Sequence, residues 1–395
     1  MRPYIFLLIF TFLVACRSTK TVTSKTEEKP KPPVAKDSAK VKEPVGIKMA
    51  KDSIDLDFKI GQMILVGIAD RKAISDTDKI KTELAEGKIG GIILFEKNIS
   101  PENSKETLKK LISDLQANAK YFPLFMSIDE EGGKVHRLKE KYGFIKMPAP
   151  AYLGGLKNTD STFYYTKKLA ALMADLGINV NFAPDVDIAL NPANPVIAKL
   201  GRSYSANPKT VSMHAIAAIK AHHVYGVKTA LKHFPGHGSS TTDSHLGITD
   251  VTNLWKESEL IPYKDIIRSG QIDAIMTAHI INCKLDTSCL PATLSQTIVT
   301  GLLRQSLGFE GVVFSDDMQM YAISKNYGRE NAIRLSILAG VDVVVFGNNV
   351  SPTDKITATE IHAIIKKMVV NGEIPESRID ESYNRIVKLK QEKFN

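Results

Sequence analysis

Eight short apolar, β-branched runs separated by amphipathic stretches constrain this chain more than any other feature. They fall at 63–68, 91–95, 124–128, 180–186, 227–231, 274–278, 312–314 and 343–346. Helical patterns occupy 104–119, 161–176, 209–225, 293–307 and 329–338, and 375–395 reads as a final capping helix. Continuous apolar runs alternating with helical periodicity imply βα units and a parallel sheet covered on both faces. Eight strands predict an α/β fold closed into a (β/α)8 TIM barrel, one domain over residues 53–395, with an open doubly wound sheet as the alternative.

Several runs end in a charged or imidazole side chain. Ile128 leads to Asp129, Leu231 to Lys232 and His233, Ala278 to His279, and Phe314-Ser315 to Asp316 and Asp317. In a parallel barrel these ends share one face, so residues far apart in sequence converge there.

The richest stretch is Lys232-His233-Phe234-Pro235-Gly236-His237-Gly238, closely followed by Asp243-Ser244-His245. It puts three histidines, a lysine, an aspartate and two glycines into fourteen residues. Asp243 and His245, two apart on a polar loop, can lie on one side of an extended segment. The carboxylate would then orient the imidazole and favour its protonated form, suiting it to give and take a proton. The alternative is a surface Asx-type turn with an idle histidine. Gly236, Gly238 and Gly247 suit a loop that must move.

Asp316 and Asp317 follow a buried-type strand. They read either as an N-cap pair or as the source of a nucleophilic carboxylate. Neighbours on a strand face opposite ways, so one of the two is expected to point inward, and Asp316 is the choice. Asp129-Glu130-Glu131-Gly132-Gly133-Lys134-Val135-His136-Arg137 supplies a carboxylate and a cation that could bind sugar hydroxyls. Gly201-Arg202-Ser203-Tyr204 is a weaker signal of the same kind. His222 and His223 read as helix-face residues and Trp255 as core or rim, with no role assigned.

The formal net charge is +9, but residues 1–52 hold eleven basic against five acidic residues and so account for +6 of it. The high basicity belongs to that segment and gives no case for nucleic-acid binding. Residues 1–16 read as a signal peptide: Met1-Arg2, an apolar run too short to span a bilayer, then Leu13-Val14-Ala15-Cys16, which resembles a lipobox. Lipidated Cys16 would tether the protein to a membrane of the bacterial cell envelope, on a periplasmic or surface-facing side. Residues 17–52, rich in Lys, Pro and Thr, are expected to form a disordered tether. Cys283 and Cys289 could pair or remain unpaired.

Taken together, these motifs resemble the single-domain bacterial β-N-acetylhexosaminidases of glycoside hydrolase family 3. The resemblance rests on the stretch from Lys232 to His245 and on Ser315-Asp316-Asp317-Met318, and covers essentially the whole body. It implies a (β/α)8 barrel and a retaining mechanism through a covalent glycosyl-enzyme. It makes Asp316 the nucleophile, His245 the general acid/base and Asp243 its partner. Asp129, Arg137, Arg202, Lys232 and His233 match positions that bind terminal N-acetylglucosamine, and neither cofactor nor metal is implied. Lys134 stands where many relatives have arginine, and Gly201 precedes Arg202 in a slightly altered setting; both bear only on subsite detail.

The expected activity is exo-hydrolysis of terminal β-linked N-acetylhexosamine from glycan or peptidoglycan fragments. A phosphorylase on the same fold is an alternative, because an imidazole acid/base does not repel phosphate as a carboxylate would. β-Glucosidase specificity is another. A metal-dependent barrel hydrolase using His233, His237, His245 and Asp129 would need a ligand spacing that is missing here. A non-catalytic glycan-binding lipoprotein would be expected to lack one of the three catalytic groups, and none is missing.

Overall fold

A computed structural model describes residues 54–244 and 246–392. The signal segment with Cys16, the tether and His245 lie outside the described residues. Among the described residues ten strands run in chain order: β1 Ile64–Gly67, β2 Gly91–Leu94, β3 Phe125–Ile128, β4 Val180–Asn181, β5 Lys228–Phe234, β6 Thr249–Asp250, β7 Ala274–Thr277, β8 Ile280–Ile281, β9 Val312–Asp317 and β10 Val343–Phe346. Eight of them close a parallel barrel in the order β1-β10-β9-β7-β5-β4-β3-β2, while β6 and β8 form a separate parallel pair. The seam is made by β1, which registers Ile64 with Val344 of β10 and Leu65 with Gly91 of β2.

All eight expected runs became barrel strands, because a strand covered on both faces must be apolar at every position rather than at alternate ones. The exception in length is β4, expected over 180–186 but ending at Asn181. Pro184 has no N–H to give to a ladder, so pairing resumes only as an isolated bridge between Asp185 and Lys232. Inside the barrel, Phe314 meets the Phe125 and Phe182 rings edge-on at 5.7 and 5.3 Å. Burying each such side chain is worth about 1.5–3 kcal/mol.

The helices also stand where the periodicity put them, including Ser104–Ala117, Thr159–Leu176, Pro208–His223 and Arg329–Ala339. Pro208–His223 starts where Pro208 fixes the first φ and the Asn207 side chain accepts from the Lys209 and Thr210 N–H groups. The last helix, Glu376–Gln391, is clamped to the barrel by Asp342, which is wholly buried. Its carboxylate accepts from Arg304 at 2.6 Å, Ser382 at 2.8 Å, Arg385 at 3.1 Å and Arg378 at 3.2 Å. Three guanidiniums around one carboxylate compensate its desolvation, which a single exposed partner could not do.

Two strands depart from regular register. Along β5 the pairing with β7 slips between Leu231 and Phe234, and along β9 the pairing with β10 slips between Phe314 and Asp317. A bulge adds one residue to the strand and re-aims the side chains beside it. Lys232-His233 and Ser315-Asp316 occupy these two places.

Candidate active site

The C-terminal ends of the strands surround a cavity of about 710 Å³, lined by Asp129, Arg137, Asp316, Asp317, Tyr321 and Arg329 among others. Both aspartates of β9 line it. Their surroundings differ. Asp317 Oδ1 accepts from the Gln319 N–H at 3.0 Å and the Gly347 N–H at 3.1 Å, so this carboxylate staples the end of β9 to that of β10. Asp316 Oδ1 accepts from the Asp317 N–H at 2.8 Å. Beneath them, the Ser315 hydroxyl accepts from the Val345 N–H at 2.9 Å, filling the place a ladder carbonyl would take.

Opposite stands a buried ionic network. Lys232 Nζ lies 2.7 Å from both Asp129 Oδ1 and Glu131 Oε1. Glu131 also takes a two-pronged bond from Arg202 at 2.7 and 2.8 Å. Arg202 Nη2 lies 3.2 Å from His233 Nε2, whose Nδ1 is 2.7 Å from Asp187 Oδ2. Burial alone would raise the Asp129 carboxyl, but the charges of Lys232 and Arg137 outweigh it and hold the group below the usual carboxylate range. Glu131 is held low in the same way, by Arg202 and Lys232. The network thus keeps both carboxylates ionised, with Asp129 on the cavity wall and Glu131 wholly buried behind it.

Lys232, Arg202, His233, Asp129 and Arg137 are thus gathered on one side of the site. Glu131, Asp185 and Asp187, which orient them, were not singled out by sequence. The signal was present in the alternation Asp185-Val186-Asp187, which puts two carboxylates on one side of an extended segment. Asp185, Asp187 and His233 bring a ligand atom each within 4.8 Å of one another, the arrangement a metal ion would use. The same group faces a guanidinium, with Arg202 Nε 3.4 Å from Asp185 Oδ2. The set His233, His237 and Asp129 is not gathered as ligands. His237 pairs through Nδ1 with Ser240 at 2.7 Å, and burial lowers its pKa to about 4, so it is neutral.

The loop after β5 carries Asp243, half-buried, whose carbonyl accepts from the Leu246 N–H at 3.0 Å. Two of its glycines sit where the chain packs closely. A Cβ on Gly238 would sit 1.8 Å from the Ile188 carbonyl oxygen, and one on Gly236 would sit 2.6 Å from Glu259 Cβ. Those two positions admit close packing; Gly247 alone faces open space. Trp255 Nε1 donates to the Pro235 carbonyl at 3.2 Å, so the lone tryptophan ties down the start of this loop. Where it closes, β6 pairs with β8, next to the hairpin in which Cys283 and Cys289 form a disulfide. His222 is buried and meets the Asn181 amide at 3.0 Å, and burial lowers its pKa to about 4; it is core.

Glu259 accepts from the Gly238 N–H at 2.9 Å, and burial, helped by the charge of Asp187, raises its carboxyl to about 7. Against an unfolded value of about 4.3, a raised acid costs the folded state nothing at low pH, where both forms are protonated; the penalty grows as pH climbs from about 4.3 to about 7 and is constant above that. Glu259→Gln keeps an acceptor and cannot ionise. Its melting temperature relative to the parent should therefore be higher at pH 8 than at pH 5, as read by calorimetry. A gap that does not change with pH would contradict the buried, raised carboxyl.

The model for the glycosyl hydrolase family 3 N-terminal domain matches residues 55–389. The chain belongs to glycosyl hydrolase family 3. It is 34% identical over 322 residues to β-hexosaminidase A of Pseudoalteromonas piscicida, covering 76% of this chain and 53% of that one. It is 30% identical to β-hexosaminidase LpqI of Mycobacterium tuberculosis, covering 88% and 85% of the two chains. Among solved structures, a family 3 β-N-acetylglucosaminidase from Paenibacillus sp. str. FPU-7 superposes with a TM-score of 0.78 at 34% identity, over 86% of this chain and 62% of that one. The chain thus spans about half the length of the first of these relatives and most of the second. As a family 3 member it is a glycoside hydrolase on a TIM barrel.

Proposed function

We propose that the chain is a retaining exo-β-N-acetylglucosaminidase that removes terminal β-linked N-acetylhexosamine from glycan or peptidoglycan fragments. The observation that carries this reading is Asp316, set by a bulge at the end of β9 into a cavity whose wall also bears Asp129 and Arg137. An ionised carboxylate at that place can attack an anomeric carbon and be released by water in a second step. Asp129, Arg137, Arg202, Lys232 and His233 are read as the grip on the sugar, since they form one connected set of acceptors and donors. Asp243 and His245 are read as the proton-transfer pair, on a loop held at its base by Pro235 and β6. A lipid on Cys16 would keep the enzyme at a membrane of the cell envelope, with 17–52 as its leash.

The test is turnover of aryl β-glycosides with and without the 2-acetamido group, in the presence and absence of phosphate. The reading expects strong preference for the acetamido substrate and free N-acetylglucosamine as product. Preference for plain glucosides would replace the specificity, and N-acetylglucosamine 1-phosphate as product would replace hydrolysis.

A further inference from the structure

Glu130 and His136 line no part of the cavity, yet they hold the segment that does. After β3 ends at Ile128, alternate side chains divide. Asp129 and Glu131 turn to the ionic network, and Glu130 turns the other way into the protein, 1% exposed. Its backbone is fixed first: the Glu130 N–H donates to Asn181 Oδ1 at 3.0 Å, and its carbonyl accepts from Asn181 Nδ2 at 2.9 Å. The chain then turns through Gly132-Gly133, with the Glu131 and Gly132 N–H groups both donating to the Val135 carbonyl, and comes back past Glu130.

On that return the Glu130 carboxylate grips three successive residues. One oxygen accepts from the Arg137 N–H and, at 2.7 Å, from the Leu138 N–H. The other lies 2.5 Å from His136 Nδ1. Arg137 rides on this segment and reaches back to Asp129, Nη2 to Oδ2, at 3.5 Å. Both of those residues line the cavity. The placement of the Arg137 backbone is therefore set by a buried pair behind it, and a shift there moves the guanidinium relative to any sugar.

We infer that Glu130 and His136 are positioning residues for the sugar site, setting substrate affinity through Arg137 and Asp129 without touching the substrate. The inference rests on the reading of Arg137 and Asp129 as sugar-binding groups. It also predicts a pH signature. Burial opposes a charge on His136, but the Glu130 bond and charge, the nearby Glu140 and the Ile145 carbonyl outweigh it and raise its pKa above the ordinary histidine range. Below that raised value the pair is ionic. As pH climbs through it the charge attraction across the pair is lost while an Nδ1–H bond can remain, so the grip on residues 136–138 weakens and KM should rise.

The experiment measures KM and kcat on 4-nitrophenyl N-acetyl-β-glucosaminide across pH for the parent, H136A and E130Q/H136N, in which the asparagine amide stands where Nδ1 stood. His136→Ala should raise KM about 10–100-fold, the scale of a lost hydrogen bond to a charged group, with much less change in kcat. The double amide can make the same bonds without ionising. Its KM should stay near the parent's neutral-pH value and remain flat where the parent's climbs. A folded H136A with the parent's KM would overturn the inference. If H136A does not fold, the double variant decides alone: a KM that climbs as the parent's does, or a parent KM that is itself flat, overturns it. Failure of the parent to turn over the acetamido substrate would instead remove the proposed specificity. The same comparison is then made on whichever aryl glycoside the parent does accept.

Discussion

Replacing Asp316 with alanine is expected to abolish turnover of every β-glycoside, lowering kcat by roughly 10⁵-fold or more, the scale seen when a covalent nucleophile is removed. Asp317 staples β9 to β10, so alanine at 317 should lower the melting temperature, whereas the loss at 316 is expected in the rate of the folded enzyme. Initial rates on an activated aryl glycoside together with a melting curve separate the two. A folded Asp316→Ala enzyme with near-parental rates would remove the nucleophile assignment and, with it, the retaining mechanism.

A smaller but more selective effect is expected at His245. General acid assistance is worth about 10²–10⁴-fold, and the need for it depends on how poor the leaving group is. His245→Ala should lose that much on an alkyl or sugar aglycone and far less on a nitrophenyl one, whose oxygen leaves without a proton. Asp243→Ala should follow the same pattern more weakly, because it would remove the carboxylate read as the imidazole's partner and leave the imidazole itself in the chain. The ratio of rates on the two aglycones is the decisive measurement. Equal losses on both would assign the proton transfer elsewhere.

Much of this site was legible because strand ends in a parallel barrel are marked by a change of composition that a linear reading can see. Asp129, Lys232, His233 and Asp316 each follow an apolar run, and the structure sets them around one mouth. What escaped was whatever depends on the third dimension. Glu131 sits beside a double glycine and reads as part of a turn; its importance appears only when Lys232 and Arg202, distant in sequence, both arrive at its carboxylate. Gly236 and Gly238 read as hinges because the Ile188 carbonyl and Glu259 that crowd them are invisible along the chain. The slip of register beside Asp316 escaped for a related reason. A bulge is set by the pairing of two strands, and neither strand announces it.

The seam between β1 and β10 has a consequence for how the chain comes to be folded. Residues 64–67 find their second partner only when 343–346 are available, so every shorter stretch starting at residue 54 is an open sheet with two exposed strand edges. Open edges recruit other strands, and pairings this distant in sequence form slowly. Protection from association therefore arrives with the final strand, all at once. A chain interrupted before residue 343 is expected to join others edge to edge, with no smaller barrel to fall back on.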